Sequence, residues 1–257
     1  MLPSCRPIST ASLDAPVAPI NRVVVVVPAR DEEDTIVDCL DSIRAARRRL
    51  SADVSCTIVV VADRCTDRTI ARALDALRGD DGDVVLDSQM GTAGAARQLG
   101  TECALVDSET DLEGVWIANT DADTCVSPDW LTVQVDLATT GIVGVAGIVE
   151  LKRDPWGNLA LVDSFNRSYS HGDGVNHPHV HGANLGFRAD AFRTAGGWNP
   201  LATGEDHDLW ERLREVGSVL ATTALKVTTS ARTVGRAPAG FAADLAVLDS
   251  ALDEPVA

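Results

Sequence analysis

Acidic residues directly follow two hydrophobic segments of the sequence, where they could bind a divalent cation. Asp121 and Asp123 come after the segment VWIANT, and Asp63 ends the segment TIVVVAD. Both segments have the composition of strands buried on both faces, and ligands of parallel sheets bind beyond the carboxyl ends of the strands. Carboxylate oxygens at that edge suit a divalent cation that also takes diphosphate oxygens. We therefore predict a metal and diphosphate site at Asp121 and Asp123.

The Asp-x-Asp spacing carries little information by itself. The sequence has 28 aspartates among 257 residues, so about three such triplets are expected by chance, and three occur. The triplet at 81 and 83 lies in a glycine-containing turn, where solvated carboxylates are common. Position at a strand end is what distinguishes Asp121 and Asp123.

Two further acidic groups have a structural and a functional interpretation. The first segment, RVVVVVP, is followed by Arg30, Asp31 and Glu32, and Glu205 and Asp206 open a predicted helix after a glycine. Acids at a helix N-terminus are stabilised by the helix dipole, which could explain both groups. However, a fold does not need an acid at each of three strand ends for stability, so we favour a functional role for the first group. For the second group we favour general-base catalysis, because a carboxylate can take the proton of an attacking hydroxyl.

All five histidines lie between residues 171 and 207, and the segment HPHVH at 177–181 places three imidazoles on one side of an extended chain. Three histidines could bind zinc, but no defined fourth ligand accompanies them. Recognition of an acceptor or a contact to a diphosphate is the favoured interpretation.

Strand-like and helix-like segments alternate through the first 150 residues. Valine-rich runs are separated by amphipathic segments at a spacing of 25 to 35 residues. This pattern predicts βαβ units and an α/β fold, with a mostly parallel, Rossmann-like sheet and helices on both faces. After residue 150 the sequence is rich in Gly, Asn, His and Trp, which indicates a loop-rich second half.

Composition excludes several classes of protein. The 257 residues carry a net charge of −16, which disfavours nucleic-acid binding because that needs a basic face. No apolar run approaches the length of a membrane span, and the N-terminus lacks a secretory signal. Six singly spaced cysteines form no Cys-x2-Cys pair. We expect a cytoplasmic protein without integral membrane association.

Five segments in order resemble the glycosyltransferases of family 2, which have the GT-A fold and use nucleotide sugars. The resemblance runs from about Arg22 to about Gly217. The segments are VVVPARDEEDTI, VVVADRCTDRT, GTAGAARQLG, IANTDADTCVSPDWL and TGEDHDLWERLREVG. Each is weak alone, and the five together are specific. Asp31 and Ala62 depart from residues common in the family, which leaves the donor base open.

The resemblance assigns residues to roles in a nucleotide-sugar site. It implies that Asp121 and Asp123 ligate Mg²⁺ or Mn²⁺, and that Asp206, with Glu205 beside it, is the general base. His181 and Asn184, in HGANLGFRADAF, are expected to contact the sugar or acceptor. The expected nucleotide-sugar ligands are Pro28, Ala29, Arg30, Glu32, Asp63, Arg97 and Asp121.

The resemblance implies metal-dependent transfer of a sugar from a nucleoside diphosphate sugar to an acceptor hydroxyl, with inversion the favoured course. The expected acceptor is a small molecule. One alternative is a nucleotidyltransferase, although its basic Gly-rich loop is replaced here by an acidic turn at residues 30–33. The other is a non-catalytic nucleotide-sugar-binding protein, which would not need the Glu205-Asp206 helix start.

The predicted organisation is one GT-A domain with short ends. Residues 1–21 are expected to be a flexible N-terminal segment. The domain covers residues 22–236, with a nucleotide-sugar-binding half at 22–150 and an acceptor-binding half at 151–236. Residues 237–257 form a C-terminal helix or tail, and the sequence is compatible with oligomers.

Overall fold

Eight strands form one sheet in the computed structural model, which describes residues 17–80, 82–106, 111–153, 158–169, 177, 179–235 and 240–253. Their order across the sheet is β3-β2-β1-β4-β7-β6-β8-β5. The strands are β1 (Arg22–Ala29), β2 (Ser55–Asp63), β3 (Val84–Ser88), β4 (Val115–Asn119), β5 (Cys125–Val126), β6 (Gly144–Leu151), β7 (Leu185–Arg188) and β8 (Val219–Thr229).

The first four strands are parallel, as the alternation of strands and helices predicted. Val26 of β1 pairs with Val59 of β2 on one side and with Asn119 of β4 on the other. This register brings the carboxyl ends of β1, β2 and β4 to one edge of the sheet. The turns that carry Glu32, Asp63 and Asp121 therefore begin side by side.

Helices cover both faces of the sheet. Alternate valines of β1 point to opposite sides: Val23, Val25 and Val27 join one hydrophobic core, and Val24 and Val26 join the other. The first core is closed by α1 (Ile36–Arg47), α2 (Thr69–Ala76) and α4 (Trp130–Thr139). The second is closed by α3 (Ala93–Leu105), α6 (Ala189–Thr194) and α7 (Glu205–Val216).

Two strands of the second half, β7 and β8, lacked a clear signal in the sequence. The short β7 runs antiparallel to β4 and β6, and the long β8 pairs with β6 in parallel. The pairing of β6 with β8 shifts register between Gly147 and Ile148, and only Leu225 to Thr228 of β8 alternate apolar and polar residues. The second half therefore extends the same sheet and adds loops to it.

The chain's last described helix, α8 (Phe241–Asp253), packs on the domain. Leu245 is buried against Leu151 of β6 and Val162 of α5 (Leu159–Ser168). None of the helices that the structure describes has the length and apolar character needed to span a bilayer. Most of the predicted flexible N-terminal segment, residues 1–16, lies outside the described residues, as does His171.

Candidate active site

A cavity of about 520 Å³ opens at the sheet edge where β1, β2 and β4 end. It is lined by residues of both halves of the chain. Asn184 is not among them. The predicted site residues that the cavity brings together are Pro28, Ala29, Arg30, Glu32, Asp63, Arg97, Asp121, Asp123, His181, Glu205 and Asp206.

The turns after β1 and β2 have a left-handed backbone residue each. Asp31 has φ 52° and Arg64 has φ 57°, a region in which Asp is tolerated better than most non-glycine residues. The Asp31 carboxylate accepts hydrogen bonds from the backbone N–H (2.7 Å) and hydroxyl (3.2 Å) of Thr66. Asp31 thus ties the first turn to the second, and Arg30 and Glu32 beside it face the cavity.

Asp63 is held by hydrogen bonds on both carboxylate oxygens. Oδ1 accepts from the Ser88 hydroxyl at 2.9 Å, and Oδ2 accepts from the backbone N–H of Gly91 at 2.7 Å. Gly91 has φ 89°, a left-handed backbone conformation that favours glycine. The support makes Asp63 a rigid part of the cavity wall.

Arg232, in the segment after β8, joins two of the predicted ligands. Its Nη1 lies 2.6 Å from Oε1 of Glu32, and its Nη2 lies 3.0 Å from Oδ2 of Asp123. Both carboxylates are nearly buried, with side-chain exposures of 8% and 9%. Arg232 therefore balances the negative charge of Glu32 and Asp123 in this structure.

Burial raises the pKa of Asp123 to about 6, although Arg232 opposes the rise and Asp121 adds to it. A carboxylate in this setting is costly to keep charged, and a bound cation would stabilise it. Asp121 offers hard oxygen atoms from the same turn, and its side chain is 39% exposed. The donor set therefore fits a divalent cation such as Mg²⁺ or Mn²⁺.

A second group of three side chains that could ligate a metal lies apart from Asp121 and Asp123 and outside the cavity lining. Ligand atoms of Asp31, Cys65 and Asp67 lie within 4.8 Å of one another. The oxygens of Asp67 accept hydrogen bonds from Thr69 and from the backbone N–H of Glu33. These carboxylates are used to hold the turns together, so we assign no cation to them.

Arg97 is buried between the two halves of the cavity. Its Nη2 lies 2.6 Å from Oδ1 of Asp121, and its Nη1 lies 2.6 Å from Oε1 of Glu205. Burial by itself would lower the pKa of Arg97, but the adjacent carboxylates outweigh it, so the pKa rises and the side chain stays charged. The predicted diphosphate contact of Arg97 stays a prediction.

Asp206 follows in the first turn of α7 and is oriented by backbone groups. Oδ2 accepts from the N–H of Gly182 at 2.9 Å, and Oδ1 accepts from the N–H of His207 at 2.8 Å. The preceding Gly204 has φ 76°, which lets the chain turn sharply into the helix. This places a carboxylate held by two backbone groups in the cavity lining, on a different element from the strand-end carboxylates.

Aromatic rings surround His181 at the cavity. The Tyr169 hydroxyl lies 2.6 Å from Nε2 of His181, and the Phe241 ring meets the imidazole edge to face at 5.5 Å. Burial lowers the pKa of His181 to about 4, so the imidazole is neutral at pH 7. His177, His179 and His181 stack in a row with centroids about 6 Å apart. Among the described residues they do not form a compact three-ligand metal group.

Several supporting residues were not found by sequence reasoning. Ser88 and Gly91 hold Asp63, Tyr169 contacts His181, and Thr229 lines the cavity at the end of β8. These residues could be found only by knowing which segments meet at the cavity. The strand that carries Thr229 was not predicted from the sequence.

Asn184 supports the fold behind the cavity wall. Its side chain is 1% exposed, and its Oδ1 accepts from the indole N–H of Trp130 at 2.8 Å. Its Nδ2 donates to the carbonyls of Ile148 (2.9 Å) and Leu225 (3.2 Å). The amide that was predicted to contact the acceptor is therefore satisfied within the protein.

Replacing Asn184 with Ala should lower stability with little effect on ligand binding. Loss of three buried hydrogen bonds leaves their partners unsatisfied, at a cost of about 3 kcal/mol. Thermal unfolding should show a fall in Tm of roughly 6–12 °C. Asn166→Ala, which removes one hydrogen bond to the N–H of Leu151, is the control and should have a smaller effect. An unchanged Tm for Asn184→Ala would contradict this structural role.

The raised pKa of Asp123 predicts a pH-dependent stability. The pKa of Asp123 in the folded protein exceeds the value near 3.8 expected in the unfolded chain, so the folded state favours the protonated carboxyl. The contribution of this group to stability is therefore complete below about pH 4 and is lost as the pH rises through about 6. Two pKa units correspond to about 3 kcal/mol. In metal-free buffer, Asp123→Asn should therefore match the wild-type Tm near pH 4 and exceed it increasingly toward pH 7. Parallel Tm curves across this range would refute the assignment.

The fold and the cavity together define a class of protein. A parallel sheet that presents carboxylates at its carboxyl edge, extended by antiparallel β7 and a helix beginning in Glu205-Asp206, is the architecture of GT-A glycosyltransferases. The profile of glycosyl transferase family 2 matches residues 24–196, which is well over half of the chain. The chain belongs to this family of enzymes.

Solved structures share the fold at low sequence identity. A mannosyltransferase from Pyrobaculum calidifontis, in complex with GDP-mannose and Mn²⁺, matches at TM-score 0.60 and 20% identity, covering 87% of this chain and 63% of that one. GalNAc-T7 with UDP, GalNAc and Mn²⁺ matches at TM-score 0.61 and 13% identity, covering 82% and 44%.

S. aureus TarS, residues 1–349, matches at TM-score 0.59 and 13% identity, covering 82% of this chain and 61% of that one. The chain thus spans less than two thirds of the length of each of these structures. No curated protein matches the sequence.

Proposed function

We propose that this chain transfers a sugar from a nucleoside diphosphate sugar to a hydroxyl of a small-molecule acceptor, with inversion. The observation that carries the proposal is a cavity lined both by carboxylates at the strand ends and by the Asp206 carboxylate at the start of α7. Similar structures contain UDP with Mn²⁺ or GDP-mannose with Mn²⁺, which supports a nucleotide-sugar donor. The cytoplasmic location and the oligomeric state stay predictions from the sequence.

The donor would lie along the strand ends. The walls there are formed by the turn Pro28-Ala29-Arg30, by Glu32 and by the rigidly held Asp63, which suit a base and ribose. Asp121 and Asp123 would hold Mg²⁺ or Mn²⁺. When bound, this cation would neutralise the charge that develops on the departing nucleoside diphosphate.

The acceptor would approach from the side of α7. Its hydroxyl proton passes to the Asp206 carboxylate as the hydroxyl oxygen forms a bond to the anomeric carbon. The bond from that carbon to the diphosphate breaks at the same time, and the electron pair leaves with the nucleoside diphosphate. The N–H groups of Gly182 and His207 keep Asp206 oriented during this step. Attack from the side opposite the leaving group inverts the anomeric configuration.

Arg232 should compete with a divalent cation for Asp123, because both bring positive charge to one carboxylate. Replacing Arg232 with Gln should raise the affinity for Mn²⁺ alone by about tenfold, measured by Mn²⁺ electron paramagnetic resonance without nucleotide. Arg153→Gln breaks an exposed ion pair with Asp163 and is the control. Weaker Mn²⁺ binding by Arg232→Gln would contradict this competition.

A ligand panel tests the proposed function. Wild type is titrated with UDP, GDP, ADP, TDP and their sugars, with and without Mn²⁺, by calorimetry and thermal shift. Tight, Mn²⁺-dependent binding of one diphosphate and slow hydrolysis of its sugar would support a transferase. Pyrophosphate release from a nucleoside triphosphate would indicate a nucleotidyltransferase. Tight binding with no turnover would indicate a binding protein, and the absence of binding would contradict the proposal.

A further inference from the structure

The buried guanidinium of Arg97 connects the two halves of the cavity. Asp121 lies at the end of β4, on the donor side, and Glu205 is the first residue of α7, on the acceptor side. Arg97, on α3, makes one ion pair with each at 2.6 Å. Only 2% of Arg97 is exposed, so it offers almost no surface to a ligand in the cavity.

Tight packing fixes the guanidinium in this place. Its carbon lies 5.3 Å from the ring centroid of Trp198, which is itself buried. A Cβ at position 182 would come within 2.5 Å of Nη2, so glycine is required where the chain passes over the guanidinium. A Cβ at Gly94 would approach the Glu205 side chain to 3.0 Å. The Arg97 guanidinium and the Glu205 side chain are thus packed closely against the backbone at Gly182 and Gly94.

Stability alone does not account for this arrangement. A buried ion pair gains little over apolar side chains of similar volume, because desolvation offsets the attraction between the charges. Nε of Arg97 is buried and has no hydrogen-bond partner among the described residues, which adds a further cost. What the arrangement provides is a fixed geometry, because Arg97 holds the carboxylates of Asp121 and Glu205, which belong to different elements, at a set distance from each other.

We propose that Arg97 is a positioning residue for sugar transfer, which fixes the first turn of α7, and with it Asp206, relative to the donor-side carboxylate of Asp121. The inference rests on the proposed function. Gly182 connects the same parts, because it packs on Arg97 and donates its N–H to Asp206 at 2.9 Å. Arg97 therefore acts through its neighbours and does not contact the reacting atoms. Its loss should slow the chemical step more than it weakens donor binding.

The test uses the full chain with Arg97→Lys, which keeps the charge but cannot span two carboxylates. Hydrolysis of UDP-glucose and GDP-mannose with Mn²⁺ gives kcat and KM, and hydrogen exchange of unliganded protein reports on residues 204–210. Arg188→Lys is the matched control, because Arg188 makes two hydrogen bonds to Asp190 away from the cavity (2.8 and 2.6 Å). Glu205→Gln weakens the same connection from its other end and serves if Arg97→Lys does not fold.

Arg97→Lys should lower kcat about 100-fold and change KM by less than about threefold. Exchange in the first turn of α7 should become about tenfold faster. Arg188→Lys should change none of these. Glu205→Gln should show the same division between kcat and KM, with a smaller fall in kcat.

Other outcomes would overturn the proposal. A KM raised tenfold with kcat unchanged would make Arg97 a donor ligand, and equal effects of Arg97→Lys and Arg188→Lys would make it a general stability contact. If wild type neither binds nor hydrolyses either sugar nucleotide, the proposed function fails for these donors. The exchange measurement then decides the positioning role independently, because unchanged protection of residues 204–210 would refute it.

Discussion

Asp123→Asn should abolish Mn²⁺-dependent binding of nucleoside diphosphates, with Kd weakened more than about 100-fold. The amide has nearly the same shape as the carboxylate but lacks the charge that a divalent cation needs. The Asp123 side chain is only 9% exposed, so a water molecule cannot readily enter and take the place of the lost carboxylate ligand. Calorimetry with UDP or GDP, with and without Mn²⁺, measures the effect.

The control for this prediction is Asp136→Asn, an exposed position on α4 outside the cavity, which should bind as wild type does. Asp123→Asn removes the ion pair with Arg232 as well as the proposed metal ligand, so a second variant is needed to separate the two effects. Arg232→Gln breaks that pair and leaves the carboxylate. If both variants lose nucleotide binding equally, the ion pair and not metal ligation carries the affinity, and the assignment of Asp123 as a metal ligand fails.

The carboxylates at the strand ends were predictable because they end or follow strands with a strong sequence pattern. The valine-rich β1 and β2 are buried on both faces, so their ends, and with them Glu32 and Asp63, could be placed at one edge of a parallel sheet. The same argument placed Asp121 and Asp123 after β4. All four line the cavity, and the family and fold that the motifs implied are confirmed.

Contacts between distant segments were not predictable in the same way. Arg97 was recognised as a candidate ligand, but only the packing of α3 on α7 shows that it reaches Glu205, 108 positions away in sequence. Asn184 lies two residues from Gly182, which lines the cavity, yet the local 3₁₀ turn directs its amide into the core. Polar residues near a motif can therefore serve packing or ligands, and a single sequence does not distinguish these roles.

Asp206→Asn should slow donor turnover by about 10²–10⁴-fold without weakening donor binding. The amide oxygen can still accept a hydrogen bond from the N–H of Gly182 or His207, so the turn should keep its shape. What is lost is the carboxylate that, in the proposed mechanism, would accept the proton from the attacking hydroxyl. The measurements are the rate of sugar-nucleotide hydrolysis, where water replaces the acceptor, and the Kd of the nucleoside diphosphate with Mn²⁺.

Asp208→Asn is the matched control, because Asp208 is on the same helix turn but forms an ion pair with Arg212 and accepts a hydrogen bond from Asn199, outside the cavity lining. It should lower Tm slightly and leave turnover within about threefold of wild type. The anomeric configuration of the released sugar, followed by NMR, tests inversion separately. If Asp206→Asn keeps a third or more of the wild-type rate, Asp206 is not the base. The neighbouring Glu205 could not simply replace it, since its carboxylate is already paired with the buried guanidinium of Arg97.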